Sequence, residues 1–578
     1  MALPSGQRVL SQRPDRNTHR VVTPTPSMVP KPKTPERCSV SRKGVALPGV
    51  AAVLSLRALI ACTDAAEIAA YTYVCGTSEE AAFRFGGGPD SCGYDDVVSG
   101  KLPPEPTYPS EVCQTLVSDK STPDESRLDT VRIQKALNDC AQSPSRTVKL
   151  VGDGPNNAFV ASSLTINGSI LWVDAGVTLY ASRNADLYQD TGNCGRVGVN
   201  DSGACIPFIN VTGTSPGIIG EGVIDGQGGE PLLGHDYSWW QLSGALRSTD
   251  GSIGNPTLIQ LDSKTTGFVA YRITLHNSPK FHLKLASRPV GDVCNRIGDG
   301  FIVWGVTVLT PSRWYNSQGL LMTPFFSRNS DAIDPGANGP ASCGVIACST
   351  LSTGDDQIAI KGGNHVSDLI IAHNHFGTGH GMSIGSETYG GVENVEVYDL
   401  TIDADSRWTG ATSDEGEGDV SGGENGIRIK SDISRGGLVK NINYHDICMR
   451  DVTNAIIVTP GYNPMFAGDN LPTYQDITLQ NVHHTTCLAK QQATVGIRGL
   501  DAAHAAGPIA LDNVIIDNIG PQAVVAEFAD IRLGPGNVNF TPAGRGVTLT
   551  NGIAPGSTPR ECKFAPLPVP ERPEGWLW

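Results

Sequence analysis

The chain has 578 residues, 67 of them glycine, a hydrophobic fraction of 39% and a formal net charge of −15. That hydrophobic content suffices for a sizeable core and excludes global disorder, while the acidic balance argues against nucleic acid or an acidic membrane surface as partner. Abundant glycine, recurrent Asn-rich turns and few long amphipathic patterns favour many short strands, and no run of 18 uninterrupted apolar residues supports a membrane-spanning helix.

In chain order, residues 1–43 are rich in Pro, Ser, Arg and Lys and read as a disordered basic segment. Gly44–Ala61, preceded by Arg42 and Lys43, has the form of a signal-peptide core with a basic flank, although Arg57 interrupts it. Met28 offers a later start, and Leu59-Ile60-Ala61-Cys62 resembles a lipoprotein box, which leaves anchoring at Cys62 as the minority alternative to plain secretion. Residues 1–62 are therefore set apart as leader, 63–111 as a variable connector and 112–578 as the catalytic domain. Fourteen cysteines suit an oxidising compartment. Cys194/Cys205, Cys343/Cys348 and Cys113/Cys140 are candidate pairs, and no cysteine or histidine spacing makes a zinc site.

Asp129–Ala141 is the one convincing helix, with Val131, Ala136 and Leu137 on one face beside Ile133, placed to cap the body of the chain. That body is repetitive. Short apolar segments start at Gly344, Asp368, Asn394, Asn441, Asp476 and Asn513, at intervals of 24, 26, 47, 35 and 37 residues. A strand-bearing coil of about 24 residues with loop insertions predicts an all-β solenoid, a parallel β-helix, in preference to a propeller or sandwich. Asn, Asp or Gly at the corners tolerates left-handed backbone. The acidic, Gly-rich stretch Ser406–Asn425 reads as a long loop, either a solvated excursion or a cleft wall.

A solenoid converts sequence period into adjacency. Asp331 precedes Asp355 by 24 residues and Asp356 precedes His380 by 24, each one coil. Arg428 follows His380 by 48, which falls to 28 without the 20-residue loop. Asp331, Asp355/Asp356, His380, and Arg428 with Lys430 are thus predicted on four consecutive rungs. Crowded carboxylates raise one another's proton affinity, which suits a pair of glycosidase acids. Arg428 and Lys430 alternate with Ile429, so they share a strand face able to grip a carboxylate.

The motifs Asn329-Ser330-Asp331, Gly354-Asp355-Asp356, Gly379-His380-Gly381 and Arg428-Ile429-Lys430, in this order, resemble the four signatures of the polygalacturonases, the pectin-cleaving glycoside hydrolases of family 28. Asn277-Ser278-Pro279 before Phe281-His282, Ile384-Gly385-Ser386 and Tyr462 agree, and the likeness spans about residues 112–555. The resemblance implies a right-handed parallel β-helix with an open cleft, and inverting hydrolysis of α-1,4 bonds between galacturonates. It implies Asp355 as general acid, Asp331 and Asp356 positioning and deprotonating the water, and His380 tuning the acid. Arg428, Lys430, Tyr462 and Asn329 would bind substrate. No metal or cofactor is implied, and the calcium sites of pectate lyases of the same fold are not carried over. Ser330 stands where the family has Thr, which keeps the hydroxyl. The His and Arg-x-Lys motifs argue against the rhamnogalacturonan-cleaving branch. The expected protein is a secreted bacterial monomer, endo-acting, whose positive field is local to the cleft. The alternatives are exo action, a xylogalacturonan hydrolase, or a non-catalytic β-helical carbohydrate-binding surface protein.

Overall fold

A computed structural model describes residues 82–245, 254–404, 423–462, 467–486, 492–551 and 562–571. The leader, Cys62 and most of the 406–425 stretch lie outside the described residues. Period-two alternation builds the sheet that matters most here. Its strands are β1 (Leu164–Asn167), β2 (Ile209–Thr212), β3 (Ile259–Leu261), β4 (Leu283–Leu285), β5 (Ile333–Pro335), β6 (Ile358–Ile360), β7 (Met382–Ile384), β8 (Asn425–Lys430), β9 (Asn454–Thr459), β10 (Thr494–Arg498) and β11 (Val524–Glu527). Each pairs in parallel with the next. Leu283, Ile333, Ile358, Met382, Ile427, Ile456 and Val495 are stacked in register and buried. One residue further along, Lys284, Asp334, Ala359, Ser383 and Arg428 fall on the opposite face. Each coil leaves its apolar face to the next, so the core runs the length of a right-handed parallel β-helix.

The other strands form one continuous parallel sheet system, bent at two corners by left-handed residues. One ladder of positive φ runs Cys343, Asp368, Asn394, Asn441, Asp476, and a second runs Cys348, His373, Asp399, Asp446, Asn481, Asn513. Asn and Asp side chains tolerate this conformation and bond along the ladder. Asn394 Nδ2 donates to Asp368 (2.9 Å), Asn441 Nδ2 to Asn394 (2.8 Å), Asn481 Nδ2 to Asp446 (3.0 Å) and Asn513 Nδ2 to Asn481 (2.8 Å). Two expected starts shift. Cys343, not Gly344, occupies the first corner, and Asn513 belongs to the second ladder, because Val514 pairs with Val482.

Before the solenoid, helix α1 (Tyr94–Ser99) and its flanks pack on the outer face: Phe83 stacks on His375 and Tyr108 on Trp172. Helix α2 (Thr130–Cys140) caps the first coils through Ile133, Ala136, Leu137 and Cys140. Val131, expected on that face, is 81% exposed, because two residues on from it the helix has turned about 200°. A further short helix, α3, spans Trp239–Ala245. Cys113–Cys140 and Cys194–Cys205 are bonded as expected. Cys343 and Cys348 are not bonded to each other: they join Cys294 and Cys92. The two corners flank the extended residues 344–347, and five residues of strand span roughly 16 Å, beyond any disulfide. Cys448–Cys562 ties the C-terminal segment to the helix. Among the described residues no helix is long and apolar enough to cross a membrane.

Candidate active site

Strands β5 to β8 are consecutive; the turns just before β5, β6 and β7 carry Asp331, Asp355/Asp356 and His380, and β8 itself carries Arg428 and Lys430. Ile333 pairs with Ile358, a step of 25 rather than 24, so Asp331 stands opposite Asp356, whose carbonyl accepts from Ala332 N (2.9 Å). His282, to which sequence reasoning gave no role, fixes the Asp331 turn from beneath. Its Nδ1 lies 3.1 Å from the carbonyls of Ser330 and Asp331, and its Nε2 lies 2.8 Å from Thr310 Oγ1. Burial pushes its pKa down to about 4, so it stands neutral at that post. The Ser330 hydroxyl bridges the turn to the next coil: it donates to the Ser327 carbonyl and accepts from Gly354 N (3.1 Å). The glycines around His380 have steric reasons. Gly381 has φ 84°, and a Cβ there would sit 2.1 Å from the Asn425 carbonyl.

The three aspartates have different surroundings. Asp356 is enclosed: Oδ1 meets an Arg428 Nη (2.5 Å) and Ser383 Oγ (2.8 Å), while Oδ2 meets Lys430 Nζ (2.7 Å). Burial works against its charge, but Lys430 and Arg428 outweigh it and hold its pKa at about 2. Asp355 Oδ1 lies 3.0 Å from His380 Nδ1 and accepts from Asp356 N (2.9 Å), and Oδ2 accepts from Asn329 N (3.1 Å). Burial alone would raise it; the adjacent His380 charge wins and holds it below the carboxylate range. His380 is correspondingly raised: Asp355, and Glu424 at 3.1 Å from Nε2, outweigh its burial. Asp331 keeps one ion pair, Oδ2 to Lys361 Nζ (3.2 Å), and its Oδ1 has no hydrogen-bond partner. Burial first, then the facing Asp355 charge, push it up to about 7.

The structure thus brings Asp331, Asp355, Asp356, His380, Arg428, Lys430 and Asn329 together, with Asn329 turned onto Asp355. Tyr462 stands at the rim, 45% exposed, its ring centre 4.9 Å from Lys430 Nζ and 6.0 Å from the Arg428 guanidinium. Three participants went unread in the sequence. Ser383 donates to Asp356 and accepts from Arg428 Nε (3.1 Å), and its offset of one coil from Ala359 would have found it. Lys361 pairs with Asp331, and Asp334 is wholly buried and pushed far up by burial and the Asp331 charge. The alternating Ile358-Ala359-Ile360-Lys361 gave no sign of this. Among the described residues Asp355, Asp356 and His380 bring potential metal-ligating atoms within 4.8 Å of one another. Their oxygens and Nδ1 already meet Arg428, Lys430, Ser383, Asn329 and each other, and Arg428 and Lys430 supply positive charge beside Asp356.

A solenoid carrying a clustered carboxylate trio beside buried cations, along one face, holds the acid and base groups that glycoside hydrolysis uses. Residues 155–528 match the glycosyl hydrolases family 28 model. The chain is 34% identical over 494 residues to a polygalacturonase of Ralstonia nicotianae, covering 78% of this chain and 87% of the relative. It is 38% identical over 388 residues to an endo-polygalacturonase of Pectobacterium carotovorum subsp. carotovorum, covering 66% and 82%. The solved polygalacturonase of Erwinia carotovora ssp. carotovora superposes with a TM-score of 0.54 at 31% identity, over 78% of this chain and 97% of that one. The chain belongs to glycoside hydrolase family 28.

Proposed function

We propose that this enzyme hydrolyses the α-1,4 bonds of polygalacturonate, acting within the chain, outside the cell. The carrying observation is the trio itself. Asp355 is the member open to the cleft, its side chain 14% exposed against 3% for Asp331 and 1% for Asp356. Only a group that reaches the glycosidic oxygen can protonate it, so Asp355 is assigned as general acid. Asp331 and Asp356 then hold and deprotonate the attacking water. Arg428 and Lys430, with Tyr462 over them, bind a uronate carboxylate, which fits a polyanion despite the net charge of −15. The acid needs a proton. Burial and the Asp355 charge raise the proton affinity of Asp331, while the neighbouring His380 lowers that of Asp355, so in this reading Asp331 stores the proton in the resting site. Substrate packed over Asp355 excludes water, raises its proton affinity and draws the proton to it. The five disulfides among the described residues fit an oxidising, extracellular location.

That protonation order also favours a second reading, with Asp331 as the acid and Asp355 as the base. Reducing-end release from polygalacturonate tests the activity, and early products test its mode: a ladder of oligomers supports internal cleavage, mono- or digalacturonate alone from the outset contradicts it.

A further inference from the structure

The same face of the sheet that carries the trio continues over β1–β4, outside the catalytic rungs. There the outward row Thr165, Asn210, Gln260 and Lys284 floors a cavity of about 480 Å³, walled by Lys280 and Phe281. The ammonium groups of Lys280 and Lys284 lie 5.3 and 5.7 Å from the Phe281 ring centre, and that of Lys361, on the catalytic rung, lies 5.9 Å from the same centre. Phe281 thus joins the cavity to the catalytic centre. Among the described residues of the lining, Asp190 is the one acid. Burial, and then mutual repulsion with Lys284, lower Lys280 to about 8, and burial lowers Lys284 as well. Two lysines weakened in this way are stabilised by any anion that enters. Lys284 and Arg428 share one outward row four strands apart, roughly 19 Å at the spacing of paired strands, with the trio between them.

We propose that this cavity is a distal subsite in which Lys284, with Lys280 beside it, holds the carboxylate of a galacturonate unit remote from the scissile bond, on the side away from Arg428 and Lys430. The inference rests on the polygalacturonate reading above. A polymer with one carboxylate per sugar is then gripped by cations on both sides of the cut, and longer chains, or chains unesterified at that position, are favoured. Lys280 and Lys284 are specificity-determining residues in this scheme.

The test compares kcat/KM on hexagalacturonate and trigalacturonate for the wild type, Lys284→Gln, Lys284→Arg and, as a charge-matched control on the solvent side of α2, Lys135→Gln. The hexamer-to-trimer ratio falls about tenfold in Lys284→Gln, the loss of one charge-assisted hydrogen bond. The loss enters through KM, and Lys284→Arg restores most of it. An unchanged ratio overturns the subsite, as does an equal fall in Lys135→Gln. If Lys284→Gln does not fold, hexagalacturonate methyl-esterified only at its distal unit reads the same contact on the wild type: a fully retained advantage over trigalacturonate overturns it. Calorimetric binding of hexagalacturonate in the Asp355→Asn background needs no turnover. Weaker binding on adding Lys284→Gln there supports the subsite even if the wild type releases no sugar, an outcome that would refute only the catalytic reading.

Discussion

Replacing Asp331 by Asn removes a carboxyl whose ionisation the site opposes. In the folded protein its pKa is about 7 against 3.8 for an ordinary aspartate, because burial and the Asp355 charge oppose ionisation. The folded state therefore keeps a proton that the unfolded chain releases, and stability falls as pH rises. The window runs from 3.8 to about 7, with a slope near 1.4 kcal/mol per pH unit and a full difference on the order of 4 kcal/mol. Asn cannot ionise, so the variant lacks this contribution. Urea unfolding of both proteins at pH 4.5 and pH 7.5, with disulfides intact, yields the two slopes. Groups remote from Asp331 titrate alike in both proteins and cancel in the difference, leaving Asp331 and the carboxylates coupled to it. The wild type should lose several kcal/mol more than Asp331→Asn between the two pH values. Parallel pH dependences would refute the claim that Asp331 holds a proton in the resting enzyme.

Two further outcomes rest on geometry. Arg428→Lys removes the fork that reaches Asp356 and Ser383 together. It should raise KM for polygalacturonate about tenfold to a hundredfold, since a lysine offers no matching pair of donors; an unchanged KM contradicts the assigned carboxylate grip. Asn481 sits at φ 52° and bonds both Asp446 and Asn513 along the corner ladder. Asn481→Ala should cost about 2 to 3 kcal/mol in urea unfolding, and Asn481→Gly about 1 kcal/mol less, because glycine accepts the left-handed backbone. The reverse order would show that strain is not what the corner asparagine relieves.

The rungs of the site were legible because a solenoid maps a repeat onto a stack: Asp356 and His380, spaced by one coil, stand two residues before successive strands that pair in register. The limits came from the same arithmetic. A coil of 25 residues at β5–β6 moved Asp331 opposite Asp356, and a one-residue offset hid the Cys343 corner. Disulfides that tie the flanking segments to distant coils, Cys92–Cys348 and Cys448–Cys562, have no local spacing to reveal them. Lys361 and Asp334 read as ordinary strand residues, and only burial beside Asp331 gives them weight. The roles of the three aspartates came from family likeness. The structure adds their unequal surroundings, with Asp356 enclosed by Arg428 and Lys430, Asp355 beside His380 and Asp331 on Lys361 alone.

The division of labour in the trio is tested most directly by leaving-group chemistry. Asp355→Asn and Asp331→Asn are compared on polygalacturonate and on an oligogalacturonide with a nitrophenyl leaving group, which departs without protonation. With Asp355 as the general acid, Asp355→Asn loses about a thousandfold on the polymer and far less on the activated substrate, whereas Asp331→Asn loses equally on both. Sparing of the activated substrate in Asp331→Asn, and not in Asp355→Asn, would reverse the assignment.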